Sequence, residues 1–326
     1  MTVDEAALTA AVRHHLGADA DVTGLRRLTG GASNETWSFD LVAAEGHVDP
    51  LILRVDRRGH WLGPAAEARL LEAAARQGVP VPRVRFVLAE EDGIGAGYVM
   101  TRIEGETIPR RILRDEALAD ARAAMARQAG EIAARIHAVP LDEVLPLPGA
   151  DAHGHPAAVE IAQQRELLDA YGEPHPVLEL ALRWLEERLP PATEVTLVHG
   201  DFRTGNLVVG HDGIRAVLDW ELAHVGDPVE DLGWLCVPSW RFRQLDRPVG
   251  GFGHYEDLLA GYEAVSGRRV ALESVRFWEV LGTVRWAVIC IVQAFTHLHG
   301  VHRSVELAAI GRRVAEMEHH LLEMID

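Results

Sequence analysis

The sequence predicts an α+β protein with a small strand-rich first part and a larger, mainly helical second part. In the first hundred of its 326 residues, short apolar or alternating runs are separated by turn residues, as is typical of strands. After Gly105 the chain changes to long alanine- and leucine-rich stretches whose apolar residues recur at helical spacing. The length also exceeds that at which one hydrophobic core usually keeps growing. Two lobes are therefore expected, at 1–104 and 105–326.

The first lobe is predicted to contain four strands and one helix. The helix covers 64–77, because Pro64 stands at its start and Gly78 just past its end. It separates two pairs of strands, which the apolar runs place at 37–42, 50–55, 84–88 and 98–103. The expected order is strand, strand, helix, strand, strand.

The second lobe is predicted to be helical except for one island of strands. Helical spacing indicates helices at 115–137 and 177–189 and a single amphipathic helix at 304–325. The strand-like island at 195–221 interrupts them. It contains the most chemically suggestive residues of the chain.

Composition restricts the partners and the compartment. The formal net charge is -17 and all 32 basic residues are arginine, with no basic run that would suit a nucleic acid. The two cysteines, Cys236 and Cys290, lie in apolar surroundings that suggest buried thiols. The N-terminus lacks the basic start of a signal peptide, and the longest apolar run, 286–295, is too short to cross a bilayer. A cytoplasmic protein without nucleic-acid or membrane partners is expected.

The island reads LVHGDFRTGNLVVGHDGIRAVLDWELAHVGDPVEDLGWL from Leu197 onward. Asp212-Gly213 is a strong signal for a two-residue hairpin turn. If those two residues form its centre, Asn206 lies directly across from Asp219, with Cβ atoms roughly 5 Å apart. One amide oxygen and one carboxylate are hard ligands that suit a Mg²⁺ ion which also keeps waters and substrate phosphates.

Asp201 would lie one short loop from that ion, where it could accept the proton of an attacking hydroxyl. Each of these three polar residues, taken singly, more often caps a turn or ends a strand. Their common order and spacing favours catalysis. His199 is expected to brace the loop, and Asp231 to hydrogen-bond backbone around it.

This segment resembles the catalytic core of the aminoglycoside phosphotransferase and choline kinase-like family. Its part LDWELAHVGDPVEDLGWL is most similar to the branch found fused to, or encoded near, acyl-CoA dehydrogenases. The resemblance implies a bilobal protein-kinase-like fold, with Asp201 as catalytic base and with Asn206 and Asp219 as Mg²⁺ ligands. By its proximity in the sequence alone, and not by the resemblance, Glu221 would be an outer-sphere metal partner.

The resemblance also implies a nucleotide site in the first lobe. In LTGGASNETWSF, glycines and small polar residues would let backbone N–H groups approach phosphates. Arg54 stands where the family usually carries a phosphate-binding lysine, and its partner would be Glu67, which is in phase with the apolar helix face. The residues implied to bind the nucleotide are Gly31, Ser33, Asn34, Arg54, Glu67, Met100 behind the base, and the Thr101 carbonyl and Ile103 amide beside it.

The expected function is an ATP- or GTP-dependent phosphotransferase that acts on the hydroxyl of a small molecule. A hydroxyacyl-CoA-like metabolite and an aminoglycoside-like antibiotic both remain open as acceptors. A non-catalytic nucleotide-binding regulator is the alternative, since Arg54 departs from the family pattern. The tryptophans of the helical lobe are interpreted as core residues near the acceptor pocket: Trp234, Trp240, Trp278 and Trp286.

Overall fold

The computed structural model describes residues 3–17, 20–28, 35–57, 62–149, 154–192 and 194–326. Three of the residues implied to bind phosphate, Gly31, Ser33 and Asn34, lie outside the described residues.

The first lobe contains an antiparallel five-stranded sheet in the order β1-β2-β3-β5-β4. Its elements, in chain order, are α1 (Glu5–Leu16), β1 (Ala20–Leu28), β2 (Glu35–Ala43), β3 (Val48–Val55), α2 (Pro64–Arg76), β4 (Val84–Val87) and β5 (Gly97–Thr101). The four predicted strands and the predicted helix are confirmed. Sequence reasoning missed α1 and β1, because β1 is largely exposed and irregular between Thr23 and Arg26, which obscures the alternation of a strand.

The alternation of β3 assigns its side chains to two faces. Leu51, Leu53 and Val55 enter a core formed by the sheet and α1, whereas Ile52 joins the larger core shared with the helices. Arg54 has the same parity as Ile52 and pairs with Tyr98 of β5. Its side chain therefore points toward α2 and the second lobe.

The second lobe is mainly helical, as predicted. Its helices are α3 (Pro109–Arg114), α4 (Ala119–His137), α5 (Pro156–Tyr171), α6 (Pro176–Glu186), α7 (Val229–Cys236), α8 (Tyr255–Ser266), α9 (Leu272–Leu298), α10 (Val305–Gly311) and α11 (Val314–Ile325). The prediction of one terminal helix at 304–325 was wrong, since α10 and α11 are separate. A Cβ on Gly311 would lie 2.5 Å from the Cβ of Ala294, so α10 ends in close contact with α9. Among the described helices, none combines the length and the apolar character needed to cross a membrane.

Three short strands lie in the predicted island at 195–221, and a fourth follows it. They are β6 (Thr196–Val198), β7 (Leu207–Gly210), β8 (Gly213–Val217) and β9 (His224–Gly226), paired as β6 with β9 and β7 with β8. A 3₁₀ turn, Thr204–Asn206, precedes β7.

The predicted register of the β7–β8 hairpin was wrong by one residue. Gly210 pairs with Gly213, so the turn centre is His211-Asp212, and the Leu218 N–H donates to the Asn206 carbonyl at 2.8 Å. A register shift between Val208 and Val209 then pairs Leu207 with Val217, which leaves Asn206 opposite Leu218, one residue before Asp219. The turn is also held by a tertiary contact, because the Gln128 side chain of α4 donates to Asp212 O and accepts from the Ile214 N–H, both at 3.0 Å.

The chain passes between the lobes just after β5. The Arg102 N–H donates to Pro50 O of β3, and Glu106 then exchanges two backbone hydrogen bonds with Val209 of β7. Glu104 lies between these attachments. A second link joins the lobes where the Val217 N–H donates to Pro80 O.

Candidate active site

The carboxylate of Asp201 is held by three side-chain donors. Its Oδ1 accepts from Arg203 Nε at 2.8 Å and from Trp234 Nε1 at 2.9 Å. Its Oδ2 accepts from Asn206 Nδ2 at 2.6 Å. The chain reaches this position from β6 through Gly200, whose φ of 77° and close approach to the Leu222 carbonyl favour glycine. The orientation of Asp201 is therefore fixed by local turns and by α7.

Asp231 of α7 binds the backbone that leads to Asp201. Its Oδ2 accepts from the His199 N–H at 2.8 Å and its Oδ1 from the Gly200 N–H at 3.0 Å. His137 of α4 adds a third contact to Oδ2 at 3.1 Å. Burial alone would raise the pKa of Asp231, but His137 and the backbone donors hold this pKa below its usual range. The prediction that Asp231 hydrogen-bonds backbone around the loop is confirmed.

His199 connects the same loop to the strand end before Asp219. Its Nδ1 accepts from the Asp201 N–H at 3.2 Å, so its Nε2 carries the hydrogen that is donated to Leu218 O at 3.1 Å. This tautomer is assigned from the partners. Burial lowers the pKa of His199, which keeps the ring neutral. The predicted bracing role of His199 is confirmed by these contacts.

The amide of Asn206 is oriented by Asp201. Both hydrogens of Nδ2 are donated to Asp201, one to Oδ2 of the side chain and one to the backbone carbonyl at 2.9 Å. The Oδ1 atom is consequently directed away from Asp201 and is available as a ligand. Asp219, with a φ of 67°, follows Leu218 and keeps 35% of its side chain exposed. An amide oxygen and an accessible carboxylate fit a Mg²⁺ ion that takes its other ligands from water and phosphates.

Within the described ranges, no group of three or more His, Cys, Asp or Glu side chains forms a metal cluster.

Arg54 is surrounded by three carboxylates. Its Nη2 lies 3.0 Å from Asp219 Oδ1, 3.4 Å from Glu67 Oε1 and 3.6 Å from Glu221 Oε2. Burial alone would lower the pKa of Arg54, but Glu67 and the other acids raise it, so the guanidinium stays charged. Its Nε is buried and has no hydrogen-bond partner among the described residues.

Glu67 and Tyr98 complete this charged cluster. Burial raises the pKa of Glu67 although Arg54 opposes that shift, and the carboxyl group hydrogen-bonds Tyr98. Burial likewise raises the pKa of Tyr98, so its hydroxyl remains protonated. Glu72, another acidic residue of α2, is exposed. The structure therefore brings Glu67 to Arg54.

The residues implied to surround the base lie at the end of β5. Met100 is buried and pairs with Ile52 and Val84 in the sheet. The Thr101 N–H donates to Arg83 O at 2.9 Å, and Ile103 follows, half-buried, in the segment that crosses to the second lobe.

A row of three tryptophans extends from Asp201. The ring centroids of Trp234 and Trp240 are 5.4 Å apart, and those of Trp240 and Trp286 are 4.8 Å apart. An arginine covers each ring: Arg285 on Trp234, Arg203 on Trp240 and Arg313 on Trp286, at 5.0, 4.7 and 5.8 Å from the centroids.

Sequence reasoning missed this row, because each tryptophan was interpreted separately as core. One signal was present. Trp234 follows Asp231 by three residues, so both lie on one face of a helix.

A model of the phosphotransferase enzyme family, APH, matches residues 24–268. Acyl-CoA dehydrogenase family member 10 of Mus musculus is 32% identical over 219 aligned positions, and the match covers 64% of this chain and 20% of that protein. Acyl-CoA dehydrogenase family member 11 of Gallus gallus is 25% identical over 337 aligned positions, and the match covers 94% of this chain and 39% of that protein. The chain thus spans about a fifth to two fifths of these relatives.

Solved structures share the fold. A provisionally named aminoglycoside phosphotransferase from Ralstonia eutropha has a TM-score of 0.78 at 24% identity, over 99% of this chain and 98% of that one. The aminoglycoside phosphotransferase APH(4)-Ia, in a ternary complex with AMP-PNP and hygromycin B, has a TM-score of 0.63 at 16% identity, over 98% and 97%. The protein-kinase-like α+β fold is confirmed, as is the resemblance to both groups of relatives. This chain belongs to the phosphotransferase enzyme family.

Proposed function

We propose that this protein transfers the γ-phosphoryl group of ATP or GTP to a hydroxyl of a small molecule in a Mg²⁺-dependent reaction. The observation that carries the proposal is the contact between Arg54 of β3 and Asp219 after β8, at 3.0 Å. It joins a buried cation of the sheet to the end of the β7–β8 hairpin, where Leu218 hydrogen-bonds Asn206 of the loop that also contains Asp201. A cation, two oxygen ligands and a candidate base in one place are the parts that phosphoryl transfer needs.

The nucleotide would lie between the sheet and the hairpin. Arg54 would bind its α- and β-phosphates while Glu67 keeps the guanidinium in place, and Gly31, Ser33 and Asn34 would supply the phosphate loop. Met100, Thr101 and Ile103 would contact the base, because the first two end β5 and Ile103 follows where the chain leaves the sheet. The related APH(4)-Ia was solved with AMP-PNP, which supports a nucleotide donor.

Asn206 and Asp219 would hold the metal ion, whose charge would stabilise the phosphates of the donor. Asp201 would accept the proton of the acceptor hydroxyl. The acceptor oxygen would then form its bond to the γ-phosphorus as the bond from that phosphorus to the β,γ-bridging oxygen breaks. The nucleoside diphosphate leaves with the bond electrons.

A hydroxylated acyl thioester or a related metabolite is the acceptor class favoured on two grounds. The rings next to Asp201, those of Trp234 and Trp240, are buried, and the partly exposed arginines on them, Arg203 and Arg285, suit an anionic group. A polycationic antibiotic would meet those arginines. In addition, the curated relatives are named as acyl-CoA dehydrogenase family members.

The two lobes would divide near Glu104, with 1–104 binding the nucleotide and 105–326 carrying the base and the acceptor. The attachments of the chain at Arg102 and Glu106 on either side of this point support the division. We place the protein in the cytoplasm, where nucleoside triphosphates are available to it.

The test is a screen of hydroxylated metabolites, hydroxyacyl-CoAs and antibiotics with Mg·ATP and Mg·GTP, scored by acceptor-dependent release of nucleoside diphosphate. Phosphorylated product should form with a hydroxyacyl thioester and depend on Asp201. Nucleotide binding without transfer to any acceptor would instead support a nucleotide-binding regulator.

A further inference from the structure

The indole N–H of Trp234 donates a hydrogen bond to the carboxylate of Asp201, the candidate base. The ring is buried, at 3% exposure, and Nε1 donates to Asp201 Oδ1 at 2.9 Å. Most other buried indoles of the described chain differ, because the Nε1 atoms of four of them have no hydrogen-bond partner: Trp37, Trp240, Trp278 and Trp286. A hydrogen bond from a neutral donor to a carboxylate is stronger than one between neutral groups.

The ring of Trp234 is held in turn by residues of α9. The Arg285 guanidinium stacks on it, with its carbon 5.0 Å from the ring centroid. Arg285 is fixed in turn by Glu230, at 2.8 Å from Nη1, and by Glu160, at 3.8 Å from Nε. Gly282 lies on the same helix, α9. A Cβ at this position would lie 3.1 Å from Trp234 Cε3, so the helix approaches the indole closely.

The two carboxylate oxygens of Asp201 accept different numbers of hydrogen bonds. An ionised carboxylate offers about two acceptor sites on each oxygen. Both sites of Oδ1 are taken, by Trp234 and by Arg203, whereas Oδ2 has one donor, Asn206. The remaining acceptor site is on Oδ2.

We propose that Trp234 is a positioning residue, which fixes Oδ1 of Asp201 so that Oδ2 receives the proton of the acceptor hydroxyl. This inference rests on the proposed phosphotransferase function. Asp231 and Trp234 lie one turn apart in α7, and so one helix holds both the backbone before the base and the side chain of the base.

The first test is the indole N–H spectrum of the whole protein, in which eight tryptophans give eight resonances. Trp234→Phe and Trp278→Phe each identify one signal by its loss. In Asp201→Ala, the Trp234 signal should move upfield and its hydrogen should exchange faster with solvent, while the Trp278 signal should keep its position. An unmoved Trp234 signal would overturn the proposal.

The second test compares the turnover of the same two phenylalanine variants, which both remove one N–H from a buried ring. Trp234→Phe should lower kcat by about 10- to 100-fold, because the base loses its orientation, and should leave the Kd of Mg·ATP close to that of wild type. Trp278→Phe should behave like wild type. Equal kcat values for the two variants would contradict the positioning role.

A wild-type protein that phosphorylates no acceptor would refute the phosphotransferase itself. The N–H comparison would still decide whether Trp234 holds Asp201.

Discussion

The guanidinium of Arg54 lies 3.0 Å from the carboxylate of Asp219, although the two residues are 165 positions apart in the chain. This contact links the central strand of the sheet to the end of the β7–β8 hairpin. Because Glu67 and Glu221 are also within 4 Å of Arg54, one cation faces three acids. A bound metal ion would neutralise part of the negative charge of Asp219. A phosphate group of a bound nucleotide would become a partner of Arg54.

Substitution of Arg54 should weaken nucleotide binding. We expect Arg54→Ala to raise the Kd of Mg·ATP by about 10-fold or more, because a charged hydrogen bond contributes about 1.5–3 kcal/mol. Arg54→Lys should fall between this variant and wild type, since lysine keeps the charge without the planar fork. Isothermal titration calorimetry measures all three.

Arg57→Ala is the matched control, because the side chain of Arg57 binds Glu35 and the Ile94 carbonyl. It should bind nucleotide nearly as wild type does. Equal affinity of Arg54→Ala and wild type would show that another cation serves the phosphates, with Arg58 the next residue to test.

Asp201 and Asp219 should respond differently to removal of their charge. Asp201→Asn cannot take up a proton, so turnover should fall by about 10² to 10⁴ while the Kd of Mg·ATP changes little. Asp219→Asn should weaken Mg²⁺-dependent nucleotide binding as well as turnover, since a charge facing the ion is lost. Calorimetry beside a phosphate-transfer assay separates the two patterns, and wild-type nucleotide affinity in both variants would contradict the metal role of Asp219.

Asp231 should be important for stability. Asp231→Asn replaces one carboxylate oxygen by a donor that faces the His199 or Gly200 N–H, so we expect the free energy of unfolding to fall by about 2–4 kcal/mol. Urea unfolding at neutral pH measures this loss. Asp169→Asn, at an exposed position of α5, is the control and should change stability by less than about 0.5 kcal/mol. A similar small change in Asp231→Asn would refute the bracing role.

Stability should also depend on pH through His224. Burial alone would lower the pKa of His224, but the Glu230 carboxylate, 3.1 Å from its Nε2, raises it to about 9. The unfolded value is near 6.5. A raised folded pKa means that the contribution is complete below about pH 6.5 and is lost as pH rises through about 9.

The difference in Tm between wild type and His224→Gln should therefore shrink between pH 6 and pH 9.5. His14→Gln, on the exposed side of α1, should show a difference that is small and constant. A wild-type advantage over His224→Gln that persists unchanged at pH 9.5 would contradict the charged pair.

Local patterns were sufficient for much of this protein. The strands β2 to β5, the helix α2 and the helical second lobe follow from periodicity and from residues such as Pro64 and Gly78. The loop of the candidate active site was also recognisable, since Asp201 and Asn206 are five residues apart and meet across one short turn. The isolated irregular strand β1 and the break between α10 and α11 were not, because a bulge and a helix contact override local preference.

The sequence by itself determined the fold class, the order of the main elements, the family and the loop that contains Asp201. The tertiary structure decided the remaining features. Gln128 of α4 holds the hairpin turn, and the turn together with the register shift between Val208 and Val209 leaves Asn206 opposite Leu218. The sheet directs Arg54 toward Asp219, and α7 directs Trp234 toward Asp201. The physical reason is the range of the interactions, because periodicity and turn chemistry act over a few neighbouring residues, whereas buried charges and hydrogen bonds find partners that only packing brings near.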